Sequence, residues 1–225
     1  MTALWIGLTV YGFVLSPNQT PTRDLIFIKL LVGIREPGED FVVNQVYTAL
    51  FNIMGIWPAV YASLLVPAGR SENKLPAWPF LTGSFGFGVF ALLPYFAFWR
   101  PIKNQKLPPP KEELEGWNKL FMKGAETPVL PALLIAGASA MLYLAATAGP
   151  ASWAEYGRLL DESRLVHVTT LDFLCLTAFA PFWMLNDAEA RGWEQRSKLL
   201  PILSVLPAVG PAIYLLLRPK TDMSK

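Results

Sequence analysis

Val129–Ala148, VLPALLIAGASAMLYLAATA, runs for twenty residues without an Asp, Glu, Lys, Arg or His. A helix needs about 20 mainly apolar residues to cross a hydrocarbon core of about 30 Å. Lipid offers no partner for backbone N–H or C=O, so such a segment has to be helical. Five further apolar stretches flank this one: Met1–Leu15, Phe41–Val66, Ala77–Trp99, Leu165–Leu185 and Leu199–Leu217. Together they predict an all-α, polytopic transmembrane helix bundle of about six spans.

The composition fits that reading. Hydrophobic residues make up 53% of the 225-residue chain, charged ones 16%, and mean hydropathy is +0.36. A net charge of +2, with no basic run interleaved with aromatics, argues against nucleic acid as a partner. One cysteine, Cys175, excludes an intrachain disulfide and a Cys-based zinc site. No basic residue precedes the first apolar run, the first being Arg23, so Met1–Leu15 reads as an uncleaved short helix and not as a secretory signal.

Proline and glycine divide the chain. Ser16-Pro17-Asn18 ends the first stretch and Pro67-Ala68-Gly69 the second, while Pro58, Pro94, Pro131 and Pro181 are expected to kink helices. The hydrophilic segment 100–128 separates an N-terminal half, 1–99, from a C-terminal half, 129–225, within one membrane domain. It holds a stiff Leu107-Pro108-Pro109-Pro110 piece and then Lys111–Lys123, KEELEGWNKLFMK, a short amphipathic helix fit for a bilayer surface. Asp24–Ile34 has a similar apolar face. The two halves share no repeat. With six spans, the first, third and fifth loops share one side and hold twelve Lys or Arg against seven opposite, which places the central loop on the cytoplasmic or stromal side. Trp57, Trp78, Trp99, Trp153, Trp183 and Trp193 near helix ends are expected as interfacial anchors.

Ionisable groups inside a bilayer are costly enough to mark function. His167-Val168-Thr169-Thr170-Leu171-Asp172 carries the best of them. Asp172 falls about 10 Å into its helix, within reach of Arg164 or of a basic group on another helix. His167, the one histidine, is a candidate axial ligand for chlorophyll magnesium, and it stands about 140° from Asp172 around the helix. Asn52 and Asn44, with Gln45, are weaker candidates and fit interhelical hydrogen bonds better. No phosphate-binding loop, dinucleotide motif or nucleophile elbow is present, and no catalytic constellation is visible, so the chain does not read as an enzyme. Gly83-Ser84-Phe85-Gly86-Phe87-Gly88 reads as close helix packing. Ser163, after Asp161-Glu162, reads as a helix N-cap. Asn186–Gly192 reads as a solvated turn with an Asp–Arg pair.

Phe51-Asn52-Ile53-Met54-Gly55-Ile56-Trp57-Pro58, Pro76-Ala77-Trp78-Pro79-Phe80, Ala91-Leu92-Leu93-Pro94-Tyr95, Arg164-Leu165-Val166-His167, Leu171-Asp172-Phe173 and Asp187 to Gly192 resemble an uncharacterised integral membrane protein family of cyanobacteria and photosynthetic plastids. The resemblance covers roughly residues 40–100 and 160–195 and carries no catalytic residue. It implies a thylakoid location and a photosynthetic role: an accessory subunit of a photosystem, photosystem I before photosystem II, holding chlorophyll and carotenoid and supporting antenna docking or complex stability. Its implied partners are membrane lipids and the photosystem core and antenna subunits. The light-harvesting helix-pair motif is absent, so an antenna protein of that fold is not expected. Two alternatives stand beside it, a photosystem assembly factor acting through 100–128 and a small membrane carrier using Asp172 and His167.

Overall fold

The computed structural model describes residues 1–34, 41–103, 105, 107, 109 and 117–221, leaving aside the side chains of 117 and 118. Every regular element among them is helical. The order is α1 (Thr2–Val10) running into a π-helical turn (Tyr11–Leu15), α2 (Pro21–Leu31), α3 (Gln45–Met54), α4 (Trp57–Ala68), α5 (Trp78–Phe98), α6 (Trp117–Ala125), α7 (Val129–Ala146), α8 (Gly149–Glu162), α9 (Arg164–Ala190), α10 (Arg196–Leu203) and α11 (Val209–Leu217). Four units are long and apolar enough to cross a membrane: α3 with α4 as one 24-residue run, α5, α7 and α9. The chain is accordingly a multi-pass membrane protein by length and composition. Lys111 to Gly116 of the expected amphipathic helix, with Pro108 and Pro110, lie outside the described residues.

Helix starts follow local chemistry. The Asn44 side chain accepts from the N–H groups of Val46 and Tyr47 at 2.9 and 3.1 Å, capping α3. Ser163 accepts from Val166 N–H at 3.1 Å, as its position before α9 predicts. Pro58 lies in the first turn of α4, because the chain breaks at Gly55-Ile56 and restarts there, so it begins a helix instead of kinking one.

Composition alone misleads about α5. In a straight helix Phe80 and Tyr95 would be about 22 Å apart, yet their rings stand 5.5 Å apart. A methyl on Gly83 would lie 3.2 Å from the Ala91 side chain, eight residues on. The chain reverses at Gly88 (φ 50°, ψ −127°), a conformation that glycine adopts readily and other residues do not. Thus α5 is a hairpin of two antiparallel legs, 78–87 and 89–98, whose tip lies about 15 Å from its mouth, half a hydrocarbon core deep. Both ends meet at the bundle end where α4 stops: Glu72 N–H donates to Arg100 O at 3.0 Å and Asn73 Nδ2 to Phe98 O at 3.0 Å.

The last apolar stretch is divided likewise. α10 and α11 fold against each other at a tip, Ser204–Ala208, where Val205 is 75% exposed. A Cβ on Gly210 would fall 1.7 Å from Leu203 O, so only glycine lets these legs approach. Pro207 and Ala208 (φ 58°) interrupt the run. Six apolar stretches therefore yield three straight-through units, two folded-back hairpins and the 14-residue segment Thr2–Leu15.

This changes the sidedness expected from six spans. Residues 16–34 lie with α8 and the start of α9, where Gln19 N–H donates to Glu162 O at 2.8 Å. Of the segment that follows α5, residues 100–103 and 117–128 lie at the opposite end, where Glu126 meets Arg191 and Arg218. Among the described residues the hairpin-mouth end carries Arg70, Lys74, Arg100, Lys103, Lys119, Lys123, Arg191, Arg196, Lys198, Arg218 and Lys220. The other end carries Arg23, Lys29, Arg158 and Arg164.

An aromatic file forms the core: Phe173–Trp57 (6.4 Å), Trp57–Tyr61 (5.8 Å), Tyr61–Phe96 (5.7 Å), Phe96–Trp183 (5.1 Å) and Trp183–Trp99 (4.9 Å). Each such pair adds about 0.5–1.5 kcal/mol beyond area burial. The file binds the second leg of α5 to α4 and α9. It also corrects the expected belt of tryptophans. Trp57, Trp183 and Trp193 are buried because the hairpins fill the space around them, whereas Trp78 and Trp153 face outward.

Candidate functional site

A helix broken in an apolar layer frees backbone N–H groups that lipid cannot satisfy. At the α5 tip that need is met by Asp172 of α9. Val89 N–H, at the start of the second leg, donates to Asp172 Oδ1 at 2.6 Å. The carboxylate also gains from the positive end of that half-helix. The packing is close: a Cβ at Gly88 would lie 1.8 Å from Asp172 Oδ2. Asp172 makes no ion pair among the described residues, and Arg164 turns instead to Ser16 O at 3.4 Å. The expected Asp172–Arg164 pair therefore does not form. Two full turns of α9, about 12 Å, separate the two residues.

Asp172 forms the floor of a groove of about 480 Å³ that opens toward the other bundle end. Its walls are mostly apolar, with Phe13, Leu25, Ile28, Phe87, Phe90 and Val168. Asn18, Asp24 and Arg164 lie at its outer end. Asp24 is already committed: it accepts from Ser163 Oγ at 2.7 Å and from Leu165 N–H at 3.1 Å, adding a second cap to α9. The second leg of α5 and the aromatic file lie between Asp172 and the hairpin mouth.

The remaining candidates lie apart from Asp172 and from one another. His167 Nδ1 lies 2.8 Å from Leu160 O, which can only accept, so in the neutral ring Nδ1 carries the proton. Nε2 then takes a hydrogen bond from the Tyr11 hydroxyl at 3.0 Å. A metal at Nε2 would have to displace Tyr11. Asn44 is fully occupied, its Nδ2 donating to Ser152 O and Glu155 Oε2 at 2.9 and 2.8 Å. Asn52 is exposed on the outer face of α3; its Nδ2 donates to Thr48 O at 2.7 Å and its carbonyl oxygen has no partner among the described residues. Of the four, Asn52 best fits a pigment magnesium approaching from outside. No group of three or more potential metal-ligating side chains occurs among the described residues.

A second polar constellation braces the hairpin-mouth end. Asp187 Oδ2 accepts from Arg191 Nε at 2.9 Å, Arg218 Nη1 at 2.9 Å and Tyr214 OH at 2.6 Å. Glu126 binds Arg191 Nη2 at 2.7 Å and the Thr221 N–H at 2.9 Å. Asn186–Gly192 is thus the end of α9 and the centre of a buried ion cluster, not a solvated turn, because α11 and the residues before α7 cover it. Burial pushes the Glu126 carboxyl up, but the hydrogen bonds and charges of Arg191 and Arg218 outweigh it and hold it below the usual range. The same carboxylates hold the Arg191 guanidinium above its ordinary value against burial.

Sequence reasoning located Asp172 but missed what it binds. The Gly83–Gly88 run was the available signal, since glycines spaced two and three apart in an apolar stretch suit a reversal as well as close packing. The Glu126–Arg218 contact joins residues 92 apart and leaves no local trace. Family models, curated proteins and solved structures give no match to the chain.

Proposed function

We propose that the protein is a small membrane carrier whose transported or coupling ion is a proton bound at Asp172. One observation carries the reading: a half-depth hairpin with a glycine tip rests on a single intramembrane carboxylate that also faces an open groove. Discontinuous helices with their termini at the bilayer midplane recur in carriers as ion and substrate sites. A proton fits better than a metal ion because metals require several oxygen ligands, and of the two carboxylates lining the groove only Asp172 keeps an oxygen, Oδ2, without a hydrogen-bond partner among the described residues. Neutralising it weakens its bond to Val89 and loosens the tip that separates the groove from the far side. By positive-inside bias the hairpin-mouth end faces the cytoplasm or stroma.

The test is proton flux into liposomes under a pH gradient. Wild-type protein should dissipate the gradient, and Asp172→Asn should abolish that flux while still inserting and folding. Equal flux in both refutes the assignment.

A second reading is favoured by Asn52, whose carbonyl oxygen faces outward from an apolar surface. In it the protein is an accessory photosystem subunit of the thylakoid, photosystem I first, holding chlorophyll at Asn52 with carotenoid along the outer helix faces. A transient assembly factor working through 100–128 is its low-abundance variant. Co-sedimentation with pigmented complexes and an absorption spectrum test it; pigment-free protein that never travels with a photosystem removes it.

A further inference from the structure

The groove above Asp172 offers more room and more aromatic wall than a proton needs. Its volume of about 480 Å³ falls within the roughly 300–1,000 Å³ of small-molecule sites. Phe13 and Phe90 meet edge to face at 5.4 Å in its lining, beside Phe87, with Leu25, Ile28 and Val168 completing the apolar wall. Phe13, Leu25, Ile28 and Phe87 are exposed, so the groove is open along an apolar side as well as at the bundle end.

Its unspent charge belongs to one group. Asp172 uses Oδ1 for the Val89 N–H and leaves Oδ2 without a hydrogen-bond partner among the described residues. Asp24, at the outer end, uses both oxygens: Oδ1 accepts from the Thr20 and Ser163 hydroxyls at 3.2 and 2.7 Å, Oδ2 from the Leu165 N–H at 3.1 Å. Arg164 lines the same outer end, where it offsets the charge of Asp24. The other titratable side chains near Asp172 are Tyr61 of α4 and Cys175 of α9, both ordinarily neutral below a pH of about 8. The parts of α5 and of the π-helical turn that line the groove carry no titratable side chain.

We propose that the groove takes a lipophilic organic cation, an amine on an aromatic or branched apolar body, in exchange for the proton at Asp172. The inference rests on the reading of Asp172 as a proton site. The cationic nitrogen lies against Oδ2 and the body against the phenylalanine rings, whose faces attract cations. Cation and proton compete for one oxygen. The carboxylic O–H gives its proton to water, and the anion left behind pairs with the cation. One singly charged cation therefore crosses against one proton with no net movement of charge. Either occupant neutralises the carboxylate and weakens its hold on Val89, whereas the bare anion keeps the tip docked.

The test is isothermal titration calorimetry of the full chain in detergent micelles with benzyltrimethylammonium, a permanent cation with an aromatic body. Its Kd should rise about tenfold for each pH unit below the point where Asp172 takes up its proton. At that acid end, buffers of different ionisation enthalpy should report one proton released per cation bound. Asp172→Asn should weaken binding about tenfold or more. Phe87→Leu, which keeps the apolar wall but removes a ring, should weaken it about two- to fivefold. A Kd independent of pH overturns the proposal, as does a Kd shared by wild type and Asp172→Asn. The wild-type pH series needs no variant, so the test stays decisive if Asp172→Asn impairs folding. Proton flux that depends on Asp172 without any cation binding overturns the exchange and leaves the proton site standing; pH-dependent cation binding without flux supports the ligand class and removes the carrier reading.

Discussion

Gly88→Ala is the sharpest perturbation of the α5 hairpin. The added methyl would stand 1.8 Å from Asp172 Oδ2 and 2.4 Å from its Cγ and Oδ1, so it cannot be accommodated without moving the tip or the carboxylate. Three costs combine. Holding a non-glycine residue in this backbone conformation costs about 1–3 kcal/mol. Crowding a packed site costs about 1–3 kcal/mol. Losing the Val89–Asp172 bond to a charged acceptor costs about 1.5–3 kcal/mol. The sum is about 4 kcal/mol or more, measurable by reversible unfolding in mixed detergent and SDS. All three atoms nearest the new methyl belong to Asp172. In Gly88→Ala/Asp172→Ala the clash therefore disappears, and only backbone strain and the lost bond remain. The two single changes should sum to about 4 kcal/mol more than the double, the crowding together with the bond that both single changes lose. Additivity within about 0.5 kcal/mol, the behaviour of independent sites, would refute the docking of the tip on Asp172.

Asp187→Asn removes the negative charge from the acceptor shared by Arg191, Arg218 and Tyr214, and breaking one partner of a buried ion cluster costs about 3–5 kcal/mol; the same SDS titration should show it. Glu126 gives the cluster a pH dependence. Its carboxyl is held below the usual range, so the unfolded chain takes up the proton first on acidification. The stability it contributes is full above the ordinary glutamate value of about 4.3 and lost as pH falls through the native value; Glu126→Gln should flatten that acid limb. Tyr11→Phe strips His167 Nε2 of its donor, which should cost about 1 kcal/mol and raise the rate of imidazole modification by diethyl pyrocarbonate.

Much of the helical framework was legible because composition and local capping specify it. Val129–Ala146 and Arg164–Ala190 match their apolar runs within a few residues, and Ser163 caps α9 as its place after Asp161-Glu162 implies. Whether such a run crosses or turns back was not legible. Ala77–Trp99 has the length and hydropathy of a span, and the reversal depends on one glycine whose backbone angles only its contact with Asp172 justifies. The tryptophans failed for a related reason: Trp57 and Trp183 stand near helix ends by sequence, but folded-back chain fills the space beside them. Asp172 stood out by cost alone, which identifies a residue of interest without identifying its partner.

The two legs of α5 are held very differently, and this determines what a change at Asp172 can move. The second leg is fixed along its length: Val89, Leu92 and Leu93 are fully buried, the Tyr95 hydroxyl donates to Gly69 O, and Trp99 Nε1 donates to Arg70 O at 3.0 Å. The first leg is mostly bare. Phe85 and Phe87 are 72% and 64% exposed, and Leu81 and Ser84 are its buried side chains. Loss of charge at Asp172 should therefore release 79–88 as a flap hinged at Gly88 while 92–98 keeps its place. Hydrogen exchange of Asp172→Asn should show faster exchange confined to peptides covering 79–89, the Val89 amide included because its acceptor is the group changed. Equal acceleration in both legs would mean that the hairpin moves as one body, and no change in either would mean that the carboxylate does not hold the tip.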